Sequence, residues 1–355
     1  MAWRRSSAER AGSSAAAIPV RSLVVEPGRG DLECLRARAH DRTSERCCRA
    51  ELAVRAGSLG HAGGGTEALL LAVEAAAPPG TIVAVDEPLG PGVLDTLRDL
   101  GLEAIGVAAD RHGPRPDALD AALTAGAAAF VFQPGAPFAV DHEVSAERID
   151  ELAEVLRRHP EVWVVEDDSI GPLEPEQPPS LGGRFPHRVV RIRSYCKAYG
   201  IDVRTSVLGG SSKLIERAMK VRSHGVGSNS RILQNTLAHL ITSADAERVV
   251  STAHERYAAR RTTLVKALID RGIEALAGPH SLVVWVRVTD ETASLVALAR
   301  QGISVGAGSR SFVQVPAQQL LRLSATQLPD DADLIGQLAD VVAGAVAESS
   351  REFFD

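Results

Sequence analysis

The stretch Ser194-Tyr195-Cys196-Lys197-Ala198-Tyr199-Gly200, followed by Arg204, concentrates more reactive chemistry than any other part of this chain. Lysine is scarce. Lys197, Lys213, Lys220 and Lys266 are the only four, although Lys and Arg together number 39. Arginine cannot replace lysine where an amine must shed its proton and attack a carbonyl, because guanidinium stays charged. A lysine kept among small, polar and aromatic neighbours, just after the β-forming run Val189–Arg193, therefore points to Schiff-base chemistry and asks for a carbonyl partner.

Other residues supply the complementary parts. Gly63-Gly64-Gly65-Thr66 opens a strongly helical segment. The first amides and positive dipole end of such a helix suit a phosphate. Arg204 and the hydroxyls of Ser194 and Thr66 can add charge-assisted hydrogen bonds. Val162–Val165 reads as a strand that ends in Glu166-Asp167-Asp168, which offers a carboxylate to a basic ring nitrogen. Asp167 can also be read as a helix N-cap. Arg322 stands alone in the apolar strand Leu320–Ser324, so it must find a carboxylate in the protein or on a ligand. An aldehyde phosphate with a basic ring nitrogen, pyridoxal 5′-phosphate, uses all of these features.

The elements around them alternate. Strands are expected at Thr81–Val85, Ala104–Val107, Ala128–Gln133, Val162–Val165, Val189–Arg193 and Val207–Gly209. Helices are expected at Gly92–Leu100, Asp117–Leu123, Ser145–Arg158, Lys213–Arg222 and Ser228–Thr242. Short apolar strands alternating with helices predict an α/β domain with a mostly parallel sheet. Ligands in such sheets gather beyond the carboxyl ends of the strands, where Asp167 and Lys197 fall. After a long helix at Ala244–Arg271 the pattern changes to strands at Ser281–Val288, Ile303–Val305 and Leu320–Ser324, with helices at Thr292–Gln301 and Asp330–Glu348, which predicts a smaller α+β unit. The expected divisions are a disordered tail at 1–20, an N-terminal arm of the small domain at 21–55 with a helix at Glu45–Arg55, a large domain at 56–245 and a small domain at 246–355.

Composition narrows the function classes. The net charge of −6 gives no footprint for nucleic acid or an anionic membrane. No apolar run reaches about 18 residues, so no transmembrane helix is expected. Cys34, Cys47, Cys48 and Cys196 show no CxxC spacing, which argues against a disulfide framework or a zinc site and suggests a cytoplasmic protein.

In these motifs the chain resembles fold-type I pyridoxal-phosphate enzymes, aminotransferase class I/II, and within them the aminotransferase-like domain of MocR-type proteins. The resemblance rests on Gly64-Gly65-Thr66-Glu67-Ala68-Leu69, Glu166-Asp167-Asp168, Ser194-Tyr195-Cys196-Lys197 with Arg204, Gly306-Ala307-Gly308 and Leu321-Arg322-Leu323-Ser324, in the family's order. It implies that Lys197 forms the internal aldimine and shuttles a proton. It implies that Asp167 pairs with the pyridinium nitrogen, that Gly64, Gly65, Thr66, Ser194 and Arg204 hold the phosphate, and that Arg322 holds the substrate carboxylate. It further implies a homodimeric enzyme acting on an amino or keto acid, aminotransferase first. The rival readings are a cyclase, an elimination or replacement enzyme, a decarboxylase, or a degenerate pseudo-enzyme. The upstream DNA-binding module of MocR-type proteins is not expected, because only about 55 residues precede the glycine-rich turn.

Three positions depart from the family pattern. The asparagine that contacts the cofactor's O3′ is replaced by Phe138 or Ala136, depending on alignment. Ser169 and Ile170 stand where a tyrosine usually does. Gly90 takes the place of the aromatic that stacks on the ring. Two readings stay open: the site is rebuilt for another substrate or reaction, with Phe138 or His61 taking over that stacking, or it has decayed; His61 otherwise reads as structural, and Arg310 as either a solvated loop residue or a contact to a substrate side chain.

Overall fold

The computed structural model describes residues 58–351, apart from Val226, Val315 and Ala317. The tail, the arm and the helix expected before residue 56 lie outside the described residues. The first part of the chain alternates β1 (Ser58–Ala62), α1 (Gly65–Ala76), β2 (Ile82–Asp86), α2 (Val93–Asp99), β3 (Glu103–Val107), the small hairpin β4 (Ala109–Asp110) and β5 (Gly113–Pro114), α3 (Pro116–Thr124), β6 (Ala127–Phe132), α4 (Ala146–Arg158), β7 (Trp163–Asp168), β8 (Val189–Ser194), the short α5 (Cys196–Tyr199), β9 (Ser206–Gly210), α6 (Ser212–Arg222) and α7 (Arg231–Thr242). The second part comprises α8 (Ala244–Ile269), β10 (Ala275–Leu276), β11 (Val283–Val288), α9 (Glu291–Arg300), β12 (Gly306–Ala307), β13 (Gln319–Ser324) and α10 (Ala332–Arg351).

Seven strands make one sheet in the order β1-β9-β8-β7-β6-β2-β3. The pairs β3/β2, β2/β6, β6/β7 and β7/β8 are parallel, while β9 runs antiparallel to β8 and to β1. The parallel strands are apolar on both faces because helices cover both. Val83, Val85, Val131, Val165 and Ile192 pack with Leu69 and Leu71 of α1 and Leu214 of α6. Ala84, Phe130, Phe132 and Val164 pack with Leu119 of α3 and Leu152 of α4. In α4, Ile149, Leu152, Ala153 and Leu156 recur at the spacing of one helix face and are buried. Ser145 caps that helix by accepting from Arg148 N at 3.1 Å. Replacing Leu152 by alanine removes a fully buried side chain and costs about 2–5 kcal/mol.

The second sheet is antiparallel, in the order β10-β11-β13-β12. Its apolar face, with Val284, Val286, Leu321 and Leu323, packs against Leu264 and Leu268 of α8, Leu298 of α9 and Ile335 and Val342 of α10. The α/β architecture with a mostly parallel sheet is therefore the one predicted.

Local differences have physical causes. β1 (Ser58–Ala62) was not anticipated, because five residues bounded by glycines carry little pattern; its pairing with β9 makes it a strand. Ile303–Val305 is not a strand. Gly302 has φ 78°, and Ile303 N still bonds Leu298 O at 3.0 Å, so the chain is unwinding from α9 there and the strand begins at Gly306. The helix expected from Ser228 begins at Arg231, since Asn229 is held outside it by donating Nδ2 to Ala62 O at 2.8 Å.

Candidate active site

The site lies at the carboxyl ends of β2, β6, β7 and β8, and the amino end of α1 adjoins the end of β8. Alternation along β7 sends Glu166 and Asp168 to one face and Asp167 to the other. The two faces differ in saturation. Asp168 accepts from Arg193 Nη1 at 2.6 Å, Arg191 Nη2 at 3.2 Å and Gly171 N at 3.1 Å. Glu166 accepts from Leu181 N at 2.6 Å and Ser180 Oγ at 2.8 Å. Asp167 is also buried, yet its Oδ1 has no partner. Ser169 Oγ, just past the end of β7, and Gln133 Oε1, just past the end of β6, also lack one. Burial raises the Asp167 carboxyl to about 6, against the opposing pull of the Lys197 ammonium.

Lys197 follows β8 on the turn that forms α5, and its Nζ donates to Ser169 O at 2.8 Å. The side chain is open along the cleft, while the amine end is crowded by protein atoms. That crowding at the titrating atom lowers its pKa, with Asp167 acting in the opposite direction. A fourth carboxyl, Asp86 at the end of β2, accepts from Gln133 N at 2.9 Å. Burial pushes it to about 7, and the charge of Asp167 adds to the rise. Sequence reasoning missed Asp86 and Gln133. The available signal was a polar residue closing each of two otherwise apolar buried strands.

Beside the lysine turn, α1 begins after Gly64, which has φ 115° and supplies no side-chain cap. Its first amides are left to an external acceptor. Ser194 Oγ would lie 3.2 Å from a Cβ on Gly65, and the Arg204 guanidinium carbon 3.8 Å from one on Gly64, so Gly64, Gly65, Ser194 and Arg204 converge. Thr66 is exposed in the first turn. Glu67 accepts from Gly63 N and from Arg222 Nε at 3.1 Å, which fixes the turn. These residues could hold a phosphate, and the unpartnered Asp167 oxygen could meet a protonated ring nitrogen. The residues present thus fit pyridoxal phosphate.

Arg322 projects from β13, level with Trp285 and Gly306. A Cβ on Gly306 would come within 2.8 Å of its guanidinium, so glycine leaves that space open. Its hydrogen bond goes to the neutral Ser311 Oγ at 3.1 Å. Among the described residues it pairs with no carboxylate, which favours the ligand reading over internal pairing. Arg310 instead pairs outward with Asp95 at 2.7 Å. Of the two candidate aromatics, Phe138 lies against Gly90, whereas His61 stands on β1 across from Val207.

The chain is 29% identical over 266 residues to the vitamin B6 salvage pathway transcriptional repressor PtsJ of Salmonella typhimurium, covering 74% of this chain and 61% of that one. It is 28% identical over 169 residues to the mitochondrial kynurenine/alpha-aminoadipate aminotransferase of Bos taurus, covering 43% of this chain and 40% of that one. The chain thus spans less than two thirds of these relatives. A tetra mutant of Thermus thermophilus aspartate aminotransferase superposes with a TM-score of 0.75 at 20% identity, covering 86% of this chain and 85% of that one, and so shares the fold. The family described as aminotransferase class I and II matches residues 50–334, and the chain belongs to that family, whose fold is type I and whose cofactor is pyridoxal 5′-phosphate.

Proposed function

We propose that this protein is an aminotransferase that moves the amino group of an α-amino acid to a keto acid, with Lys197 as its catalytic amine. The observation that carries the reading is the juxtaposition of Lys197, whose pKa is lowered by crowding at its amine, with the buried Asp167, which keeps an unpartnered oxygen. Held in this site and joined to the substrate's amine, the cofactor would supply an electron sink for charge that develops at the substrate's Cα, leaving the Lys197 amine free. Asp167 holds the proton on the ring nitrogen. Gly64, Gly65, Thr66, Ser194 and Arg204 anchor the phosphate. Arg322 grips the substrate carboxylate and so orients the Cα–H bond. Lys197 Nζ, with its lowered pKa, takes the Cα proton and returns it.

We further propose a homodimer, which proteins of this aminotransferase fold typically form. No helix among the described residues is long and apolar enough to cross a membrane.

The test is a panel of half-reactions. Cofactor-loaded protein mixed with single amino acids should pass to the amine form of the cofactor with release of a keto acid. Evolution of carbon dioxide, ammonia or a ring-closed product instead would favour decarboxylase, elimination or cyclase chemistry. The likeness to a repressor motivates a second reading, a cofactor-binding module that signals through protein contacts. A protein that binds the cofactor tightly yet converts no member of the panel would favour it.

A further inference from the structure

A flat heteroaromatic ring held between polar groups at its edges still needs an apolar surface against its face. The loop after β6 crosses the cleft between β2 and the lysine turn. Gly135 packs on Ile170, next to Ser169, whose carbonyl accepts from Lys197 Nζ. Gln133 bonds Asp86 at the end of β2. Residues 133–139 of this loop are buried except for Phe138, which is half-buried. The ring of Phe138 lies on Gly90 so closely that a Cβ at position 90 would stand 2.8 Å from Phe138 Cε2. Residue 90 therefore carries no side chain over the cleft, and Phe138 fills the space one would take.

Phe138 is also firmly held. Its carbonyl accepts from Trp285 Nε1 at 2.9 Å, the carbonyl of Pro137 from Leu282 N at 2.9 Å and that of Ala139 from Gly278 N at 3.2 Å. Trp285 is fully buried and stands directly across the strand from Arg322. The backbone of the loop is thus fixed on either side of Phe138, and the side chain also packs beside Val283, Trp285 and Leu320.

We propose that Phe138, seated on Gly90, is the stacking wall for the face of the bound cofactor ring, so that the aromatic comes from the loop after β6 instead of from the loop after β2. The proposal rests on the cofactor reading above. Phe138 and Gly90 then form a complementary pair in which either position, but not both, can be large.

The experiment measures the affinity of full-length apo-protein for pyridoxal 5′-phosphate by absorbance titration. It also measures the visible circular dichroism of the bound cofactor and the melting temperature of each apo-protein. Phe138→Ala is expected to weaken affinity by about fivefold and reduce the visible dichroism, while Phe138→Trp retains both. Gly90→Tyr alone is expected to weaken binding through collision with Phe138. The double variant Gly90→Tyr/Phe138→Ala is expected to recover affinity relative to either single change. If Phe138→Ala lowers only the melting temperature, with affinity and dichroism unchanged, Phe138 is a packing residue and the proposal falls. A double variant no better than the singles overturns it equally. Failure of the unaltered protein to bind the cofactor would sink the functional reading itself, which is a different outcome from normal binding insensitive to Phe138.

Discussion

The two faces of β7 carry three consecutive acids in one buried environment, and they have opposite fates. Behind the strand, Glu166 and Asp168 are saturated by Arg191, Arg193, Ser180 and two backbone amides. In front, Asp167 keeps an unpartnered oxygen and faces Lys197 through the electrostatic field. A buried carboxylate with all its partners is part of the scaffold; one without them is stable only if a ligand completes it or a proton neutralises it. The saturated side fixes the strand end, and the unsaturated side is left for chemistry.

Substitutions can break this contrast. Lys197→Ala should abolish the imine absorbance of the loaded protein and lower turnover by more than about a thousandfold, while the apo-protein still folds. Retained imine absorbance would mean that another amine holds the cofactor. Asp168→Ala should unfold easily, losing about 3–5 kcal/mol in denaturant melts, because Arg191 and Arg193 would be left buried without their carboxylate. Asp167→Asn should spare apo stability and impair turnover. Equal destabilisation by the two changes would erase the distinction between scaffold and site. Arg322→Ala should lower kcat/KM by about 10- to 100-fold, mostly through KM, and lysine should rescue it poorly because it lacks the two-pronged fork.

The smallest effect concerns Asp86. Its folded pKa of about 7 lies above the ordinary 3.8, so the folded state holds the proton more tightly. The stability this contributes is full below about pH 4 and is lost as pH rises through 7. Apo Asp86→Asn should therefore gain relative to the unaltered protein between pH 5 and 8, by roughly 2–4 kcal/mol at most. Parallel melting curves for the two proteins across that range would show that Asp86 does not titrate there.

Much of this was legible in the sequence. The strand-helix alternation, Lys197, Asp167, Arg322 and the glycine turn all carry local signals, since each depends on residue type and near neighbours. What was hidden depends on contacts between distant segments. β1 exists because β9 pairs with it. Asp86 and Gln133 meet across 47 residues of chain. The choice between Phe138 and His61 as the aromatic over the cleft needed the approach of one loop to Gly90, which no spacing rule encodes.

The placement of Arg322 has one more consequence. Lys197 and Asp167 are rooted in the seven-stranded sheet, and Arg322 in the four-stranded one. Under the proposed function, a bound amino acid gripped at its amine by the first and at its carboxylate by the second is a short tether between two bodies. It should act as a reversible cross-link, damping their relative motion and slowing amide hydrogen exchange along α8, which joins them. A substrate that lacks the carboxylate would leave that exchange unchanged.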